Sequence, residues 1–225
     1  MICVSLSKIG FEECLSLARE EAFVEFRFDL LDLSPDQVSQ AVAAAKRSIA
    51  TYRPETGDPD RRIQTMMTAL KAGATYADIE IDADSHYRKE LLKAARSLGR
   101  DVIISYHNFE STPGAERLKK IAESCRKAGA DVVKIACQVN ETRDVQTLLG
   151  LYREGWRMAV IGMGEKGLIT RIAAPFLGAE FTFASPRMGR ETAPGQIDRI
   201  RLASIIAGIR SSFSGENEIQ MKSDE

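Results

Sequence analysis

Short apolar segments alternate with longer amphipathic segments from one end of the chain to the other. Each apolar segment holds about four to eight residues and is rich in valine, isoleucine or phenylalanine, which is typical of a buried strand. The segments between them carry apolar residues at helical spacing, which predicts helices, the last two over residues 166–177 and 196–209. The predicted strands are eight in number and cover residues 2–6, 23–30, 48–53, 76–82, 101–107, 131–137, 157–163 and 181–184.

The strict alternation of strands and helices predicts the fold class. Parallel strands need a crossover between them, and eight strand-helix units of about 26 residues each are typical of a closed (β/α)8 TIM barrel. The competing fold, an open doubly wound sheet, usually has a glycine-rich phosphate turn after its first strand, and residues 5–8 are not such a turn. We therefore expect one α/β barrel domain over residues 1–210, followed by a polar, disordered tail over residues 211–225.

Composition and charge exclude several classes of protein. The chain has 225 residues, 44% of them hydrophobic, which is enough for one large core. Its 31 basic and 32 acidic residues leave a formal net charge of -1, which argues against nucleic acid or a membrane surface as the partner. We find no transmembrane segment and no signal peptide, and we predict a cytoplasmic protein. The four cysteines form no C-x-x-C pair and the two histidines have no metal spacing, which predicts free thiols and no metal site.

The predicted strands carry polar residues that share one parity. In a closed barrel the apolar residues of each strand face the helices, so the residues of the other parity face the barrel axis. The inward polar set is Glu25, Arg27, Asp29, Thr51, Arg53, Asp78, Glu80, Asp82, Ser105, His107 and Lys134. Such a network is costly unless its members satisfy one another. Barrels carry catalytic residues at the C-terminal ends of strands, and we expect Arg27, Arg53, His107 and Lys134 to lie at or near those ends.

Lys134 lies in the middle of the sixth predicted strand. A buried ammonium must be paired or must lose its proton, and a lysine that loses its proton is a nucleophile that forms Schiff bases with carbonyl compounds. The alternative is a structural lysine that pairs with a core carboxylate or extends to solvent. His107 ends the neighbouring strand, and because adjacent strands are about 4.8 Å apart, one substrate can touch both side chains. This proximity favours a catalytic histidine over a structural one.

Two loops and one arginine are further candidates at the predicted mouth of the barrel. The loop after the third strand contains Glu55. The long loop over residues 185–196 is a candidate lid, with an ordinary surface loop as the alternative. Arg171, in the helix after the seventh strand, either clamps a carboxylate or is a solvated surface residue.

Taken together, these segments resemble the type I 3-dehydroquinate dehydratase family of the shikimate pathway. The resemblance covers residues 2–209, and its specificity comes from the number and the order of the matching motifs. The motifs are Glu25-Phe26-Arg27, Tyr52-Arg53, Ser105-Tyr106-His107-Asn108-Phe109, Val133-Lys134-Ile135-Ala136, Gly167-Leu168-Ile169-Thr170-Arg171 and Ala193-Pro194-Gly195-Gln196.

The resemblance implies a hydro-lyase that converts 3-dehydroquinate to 3-dehydroshikimate through a Schiff base on Lys134. It implies His107 as the general acid and base, Glu55 as the residue that orients it, and no metal or organic cofactor. Arg171 is implied to hold the carboxylate of the substrate. The other implied substrate-binding residues are Ser5, Glu25, Arg27, Arg53, Met163, Thr192 and Gln196, with Thr192 where the family more often has serine.

Two alternatives come from other classes of protein. Another Schiff-base barrel, such as a class I aldolase, would need a phosphate or aldehyde site, and the loops after the seventh and eighth strands show no phosphate cradle. A non-catalytic barrel would not need Lys134, His107 and Arg171 together. We further expect a homodimer whose small-molecule partner is 3-dehydroquinate.

Overall fold

Eight parallel strands alternate with eight α-helices in the computed structural model, which describes residues 1–53, 58–152, 155–189 and 195–213. The strands are β1 (Ile2–Leu6), β2 (Val24–Arg27), β3 (Ser48–Thr51), β4 (Tyr76–Glu80), β5 (Asp101–Asn108), β6 (Val132–Gln138), β7 (Met158–Met163) and β8 (Thr182–Ala184). The helices are α1 (Phe11–Glu20), α2 (Pro35–Ala44), α3 (Pro59–Ala72), α4 (Ser85–Ser97), α5 (Ala115–Lys127), α6 (Thr142–Leu149), α7 (Leu168–Ala173) and α8 (Arg199–Phe213).

The strands follow one another around a nearly closed barrel in chain order. Each strand from β1 to β6 pairs in parallel with the next, and β8 pairs with β1. The remaining seam, between β7 and β8, is joined by a backbone hydrogen bond of 2.8 Å from the Glu180 N–H to the Met158 carbonyl oxygen. The predicted (β/α)8 TIM barrel is therefore confirmed.

Side chains at the helix N-termini fix where several helices begin. The Ser34 hydroxyl accepts from the Gln37 N–H while the Gln37 side chain accepts from the Ser34 N–H, with Pro35 in the first turn. Asp58 and Asp84 accept backbone N–H groups at the starts of α3 and α4. These bonds satisfy amide groups that the first helical turn leaves without partners. They determine where the preceding loops end at the barrel mouth.

The inward-facing side chains fill the barrel in layers of different polarity. The layer at the N-terminal ends of the strands is apolar, with the ring centroids of Phe23, Tyr76 and Phe181 5.3 to 5.9 Å apart. The buried polar layer above it comprises Ser5, Glu25, Thr51, Asp78, Ser105 and Lys134. The inward residues of β7 and β8 are apolar throughout and include Ala159, Ile161, Met163 and Phe183. The interior therefore has a polar side and an apolar side.

Lys134 lies deeper in the barrel than the sequence predicts. It is the third of the seven residues of β6 and is in register with Ser105 on β5. The ladder between β6 and β7 continues beyond it to Gln138 and Met163, so its expected position at a C-terminal strand end is wrong. The amine is still reached from the mouth, because the next inward residue of β6 is Ala136, whose methyl group takes little space.

Asp82 is not part of the interior, contrary to the prediction. β4 ends at Glu80, and Asp82 is exposed in the turn that follows. The chain turns there because the Ala83 N–H donates to the Glu80 carbonyl oxygen at 3.1 Å. The alternation of inward and outward side chains in β4 therefore ends at Glu80.

The last helix begins later and ends later than predicted. The sequence predicts a helix over residues 196–209, whereas α8 spans Arg199–Phe213. The Asp198 carboxylate accepts from the Arg201 N–H at 2.9 Å and caps the helix. Gln196 consequently lies before the helix, where it can line the barrel mouth. The helix also extends three residues into the predicted tail, of which residues 214–225 lie outside the described residues.

The ends of the predicted lid are attached to the barrel. The Ser185 N–H donates to the Ile197 carbonyl oxygen at 2.9 Å. Gly195 has a φ of +71° and lies directly against the backbone of Gly164, where a Cβ would come within 2.1 Å of the carbonyl oxygen. Residues 190–194 lie outside the described part of the chain, so the lid stays a prediction.

Two observations bear on the expectations from composition. All four cysteines are buried and unpaired thiols. No helix in the described part of the chain combines the length and apolar character needed to cross a membrane.

The helix predicted over residues 166–177 is divided by a close backbone contact. α7 has only six residues and lies between two 3-10 turns, Glu165–Gly167 and Ala174–Phe176. Gly167 packs on Gly162 at the end of β7, and a Cβ at Gly167 would lie 2.4 Å from the Gly162 carbonyl carbon. This contact places α7, and with it Arg171, against the apolar side of the barrel.

We expect Gly167→Ala to destabilise the barrel, because the added methyl group meets backbone that cannot shift without moving β7. Overpacking of this kind costs about 1–3 kcal/mol. Gly208→Ala is the matched control, since Gly208 is exposed on α8 and nothing lies within 4 Å of its added Cβ. Alanine is the better helix former there by about 1 kcal/mol. Thermal and urea unfolding measure both variants, and equal stabilities would contradict the tight packing at Gly167.

Candidate active site

A cavity of about 170 Å³ opens at the C-terminal ends of the strands. Its walls combine charged residues from the polar side of the barrel with apolar residues from β7 and β8. The lining residues are Ser5, Glu25, Arg27, Arg53, Glu80, His107, Phe109, Lys134, Ala136, Ile161, Met163, Arg171, Phe183 and Gln196. The mouth of a TIM barrel is where active sites of this fold are found.

The Lys134 amine lies at the cavity floor between two buried carboxylates. Its Nζ donates to Asp78 Oδ2 at 2.8 Å and to Glu25 Oε1 at 3.3 Å. The ring of Phe183 covers another side, with its centroid 4.4 Å from Nζ. The carboxylate pairing that was the structural alternative for this lysine is therefore present. The same contacts hold the amine in one position facing the cavity.

Two hydroxyl groups complete the surroundings of Glu25. Ser5 Oγ donates to Glu25 Oε2 at 2.7 Å, and Thr51 Oγ1 donates to Oε1 at 3.0 Å. Burial raises the pKa of Glu25, but Lys134 and then Arg27 outweigh it, so the pKa is lowered overall. Glu25 is therefore ionised beside the amine at neutral pH.

Asp78 is held by side chains from the two strand segments on either side of β4. Ser105 Oγ donates to Asp78 Oδ1 at 2.6 Å, and the Arg53 guanidinium lies 3.2 and 3.4 Å from its two oxygens. Burial alone would raise the pKa of Asp78, but Arg53 and then Lys134 hold it well below its usual range. Both carboxylates of the polar layer are therefore ionised at neutral pH.

His107 lies between an arginine and a glutamate. Its Nε2 is 3.3 Å from Arg53 Nη2, and its Nδ1 is 3.0 Å from Glu80 Oε1. The Phe109 ring stacks on the imidazole, with centroids 5.9 Å apart and an interplanar angle of 14°. Burial, followed by the charges of Arg53 and Lys134, lowers the pKa of His107 well below 6.5. The ring is therefore neutral at neutral pH and able to accept a proton.

Arg171 is a buried cation to which the described residues offer no carboxylate. Its side chain is only 2% exposed, and its Nη1 donates to the Phe183 carbonyl oxygen at 3.4 Å, whereas Nε is buried without a hydrogen-bond partner. Burial lowers its pKa to about 10, against the opposing effect of Glu25, so it stays charged at neutral pH. A solvated surface position is thus excluded. Burying a guanidinium without a carboxylate partner is costly.

Arg27 is fixed in the cavity wall by Asp29. The guanidinium donates from Nε to Oδ1 at 3.0 Å and from Nη2 to Oδ2 at 2.8 Å, a two-bond contact with a buried carboxylate. The remaining N–H groups of Arg27 are available to a ligand in the cavity.

The predicted site residues that fall in the described part of the chain line one cavity. They are Ser5, Glu25, Arg27, Arg53, His107, Lys134, Met163, Arg171 and Gln196. Glu55 and Thr192 lie outside the described residues. The sequence analysis missed Phe183 and gave Phe109 and Glu80 no role. Strand parity could have found Phe183, since Phe181 and Phe183 alternate with Thr182 in β8.

Among the described residues, no group of three or more histidine, cysteine, aspartate or glutamate side chains is arranged to hold a metal ion. The carboxylates of the cavity instead face cations of the chain itself. Glu25 pairs with Lys134, and Glu80 pairs with Arg53.

Comparisons with known proteins agree with this geometry. A family model described as type I 3-dehydroquinase matches residues 2–210. The 3-dehydroquinate dehydratase of Methanocaldococcus jannaschii is 33% identical over 212 residues, which cover 88% of this chain and 94% of that protein. The 3-dehydroquinate dehydratase of Methanococcus vannielii is 34% identical over 220 residues, covering 92% and 98%.

A solved structure supports the same assignment. The crystal structure of the 3-dehydroquinate dehydratase from Aquifex aeolicus has a TM-score of 0.78 and 27% sequence identity to this chain, and the match covers 94% of this chain and 99% of that one. The family match spans nearly all of the barrel and includes every described residue of the cavity. The chain therefore belongs to the type I 3-dehydroquinase family.

Proposed function

We propose that this chain removes water from 3-dehydroquinate to give 3-dehydroshikimate, a step of the shikimate pathway in aromatic amino-acid biosynthesis, and that it does so through a Schiff base on Lys134. The observation that carries the proposal is one cavity holding the Lys134 amine, the neutral His107 imidazole and the Arg171 guanidinium. The substrate has a group for each: a ring ketone for the amine, a proton beside it for the imidazole, and a carboxylate for the guanidinium.

The first step exchanges the ketone oxygen for the lysine nitrogen. The Lys134 ammonium and the ketone give a protonated imine and one water, so the positive charge stays at the same nitrogen. Glu25 and Asp78 lie 3.3 and 2.8 Å from that nitrogen, and they stabilise the charge before and after the exchange. The carboxylates that pair the resting lysine therefore also suit the intermediate.

The next steps move one proton through His107. The imidazole takes a proton from the carbon next to the imine, and the C–H electrons neutralise the iminium as an enamine. The enamine then expels the hydroxyl group, which takes the proton from the imidazolium and departs as water. Hydrolysis of the imine consumes one water and restores the ammonium. The net change is the loss of one water from the substrate.

The remaining cavity residues supply substrate contacts in this proposal. Arg171 binds the carboxylate, because it is a buried cation of the cavity wall that forms no salt bridge with a described carboxylate. Arg27, held by Asp29, and Gln196 face the cavity and offer donors to hydroxyl groups. The resemblance assigns further contacts to Ser5, Glu25, Arg53, Met163 and Thr192, and a role beside His107 to Glu55.

We also propose that the enzyme is cytoplasmic, needs no cofactor and works as a homodimer. These proposals rest on the resemblance to the family. Light scattering of the purified protein tests the oligomeric state, and dialysis against a chelator followed by assay tests the need for a metal.

Lys134→Ala should abolish turnover and covalent trapping. Treatment with 3-dehydroquinate and borohydride should add the mass of the reduced ligand to the parent protein but not to the variant, as measured by intact-mass spectrometry. Stability should fall by on the order of 3 kcal/mol, because the change leaves buried carboxylates without their cation. Lys119→Ala is the control, since Lys119 lies on the surface of α5 and pairs with Glu116. Turnover by a folded Lys134→Ala protein would eliminate the Schiff-base mechanism.

His107→Ala should separate imine formation from proton transfer. The variant should still be trapped by borohydride on Lys134, because its amine and both carboxylates are unchanged. Its kcat should fall about 10²- to 10⁴-fold, the usual contribution of a general acid and base. Absorbance of the enone product measures kcat and mass spectrometry measures the adduct. Wild-type kcat in this variant would remove the imidazole from the proposed cycle.

Arg171→Met should weaken substrate binding while leaving the fold as stable or more stable. The loss of a charge-assisted contact of about 1.5–3 kcal/mol should raise KM about 10- to 100-fold. Stability should not fall, because an apolar side chain replaces a buried charge that has no carboxylate partner among the described residues. Arg143→Met, at a surface arginine on α6 with an 80% exposed side chain, is the control for KM and Tm. An unchanged KM would mean that the carboxylate binds elsewhere.

A further inference from the structure

The buried edge of the His107 ring faces Glu80, a residue to which neither the motif resemblance nor strand parity assigns a role. The Nδ1 atom is buried and lies 3.0 Å from Glu80 Oε1. This contact does not meet the alignment of a hydrogen bond, and Nδ1 has no other hydrogen-bond partner among the described residues. Both side chains are nearly buried, with 11% and 9% exposure. The carboxylate is therefore the acceptor nearest to a buried ring nitrogen.

Arg53 determines which ring nitrogen carries the proton. A guanidinium can only donate, so the Nε2 atom 3.3 Å from Arg53 Nη2 must present its lone pair. A neutral imidazole with a lone pair on Nε2 carries its hydrogen on Nδ1, and Nδ1 is the atom that faces the carboxylate of Glu80. The arginine and the glutamate thus select the same tautomer from opposite sides of the ring.

We propose that Glu80 is the positioning residue of His107: it accepts the Nδ1 hydrogen, keeps Nε2 as the basic nitrogen, and compensates the charge of the ring when Nε2 takes the substrate proton. This inference rests on the proposed function. A carboxylate paired with the far nitrogen of an imidazole serves this purpose in other enzymes that use histidine as a base. In this chain the pairing comes from β4, whereas the resemblance assigns it to Glu55.

Glu80 is fixed in position by Arg53. Arg53 Nη1 lies 3.3 Å from Glu80 Oε1, the oxygen that also faces His107. Burial, and after it the charge of Asp78, raise the pKa of Glu80 overall, although the charges of Arg53 and Lys134 oppose that rise. Arg53 also contacts Asp78 and Ser105. Its guanidinium therefore stays in position when the Nε2 atom of His107 leaves it to contact a substrate.

The first test measures the tautomer directly and needs no turnover. The chain has two histidines, so a long-range ¹H–¹⁵N spectrum of the ¹⁵N-labelled protein contains two rings. His86 is exposed on α4 and serves as the reference for a ring in contact with solvent, and His86→Gln assigns the signals. We expect His107 to be neutral at pH 7 with its hydrogen on Nδ1. A hydrogen on Nε2, or on both nitrogens, would overturn the inference whatever the enzyme's activity.

The second test uses Glu80→Gln, which keeps the shape of the side chain and removes its charge. We expect kcat to fall on the order of 10- to 100-fold, a part of the contribution of an acid-base group. KM and the borohydride adduct on Lys134 should change little, since Glu80 does not contact the amine. Glu110→Gln, at an exposed position after β5, is the matched control and should have wild-type kcat.

The pH profile distinguishes positioning from a structural role. The charged groups that act on the ring are Glu80, Arg53, Lys134, Asp78 and Glu25. Glu80→Gln removes one carboxylate that favours the imidazolium, so the acid limb of kcat should move to lower pH. A loss that comes only from poorer folding would lower the active fraction and leave the limb in place.

The outcomes separate this inference from the proposed function. If the wild-type enzyme is active and Glu80→Gln has the same kcat and the same acid limb, the role of Glu80 is overturned. The dehydratase proposal then stays intact. The inference is also overturned if Glu55→Gln, and not Glu80→Gln, shows the lower kcat with the shifted limb. A wild-type protein that neither consumes 3-dehydroquinate nor is trapped by it contradicts the proposed function, whereas the histidine tautomer is still measured independently.

Discussion

A lysine can keep its ammonium inside a closed barrel only if carboxylates lie at the same depth. Burying an unpaired charge costs several kcal/mol, a large part of the stability of a domain, so Lys134 depends on Asp78 and Glu25. These carboxylates in turn depend on Arg53 and on nearby hydroxyl groups. Each member is paired with residues from other strands, so the loss of one member would leave others without a partner. The barrel provides this arrangement because neighbouring strands bring inward residues to within a few ångströms of each other.

Arg171 is not part of the polar layer, and its position makes the two sides of the cavity different. It lies on the apolar side, behind β7 and β8, where Ile161, Met163 and Phe183 offer no counter-charge. In the proposed reaction the substrate carboxylate faces this guanidinium and the substrate ketone faces the Lys134 amine, so the two sides of the cavity favour one orientation of the substrate. The division of the interior into two sides thus supports recognition as well as stability.

The fold and much of the site follow from strand parity, because a buried strand in a barrel has no other way to place a charge. Parity identified Glu25, Asp78, Glu80 and Lys134 as inward residues. It failed at Asp82, where a turn hydrogen bond ends the strand before the alternation in the sequence stops.

Other features depend on contacts between distant segments and could not be derived from local pattern. The depth of Lys134 follows from how far the β6–β7 ladder extends, and the inward position of Arg171 follows from the backbone packing of Gly167 on Gly162. The sequence likewise offered Glu55 as the partner of His107 by resemblance, while proximity of strand ends brings Glu80 to the ring. Which carboxylate contacts the histidine depends on distances in the folded protein rather than on spacing along the chain.

The aromatic layer of Phe23, Tyr76 and Phe181 has a consequence for the movement of water. It closes the N-terminal end of the barrel, so in the described part of the chain water and ligand share the opening at the other end. In the proposed cycle, imine formation and elimination each liberate a water molecule beneath a ring that occupies this opening, and hydrolysis consumes one. The water needed to free the product is thus already beside the imine when the double bond forms. One exchange with the solvent per turnover then suffices, in which the product and a single water molecule leave by the same route.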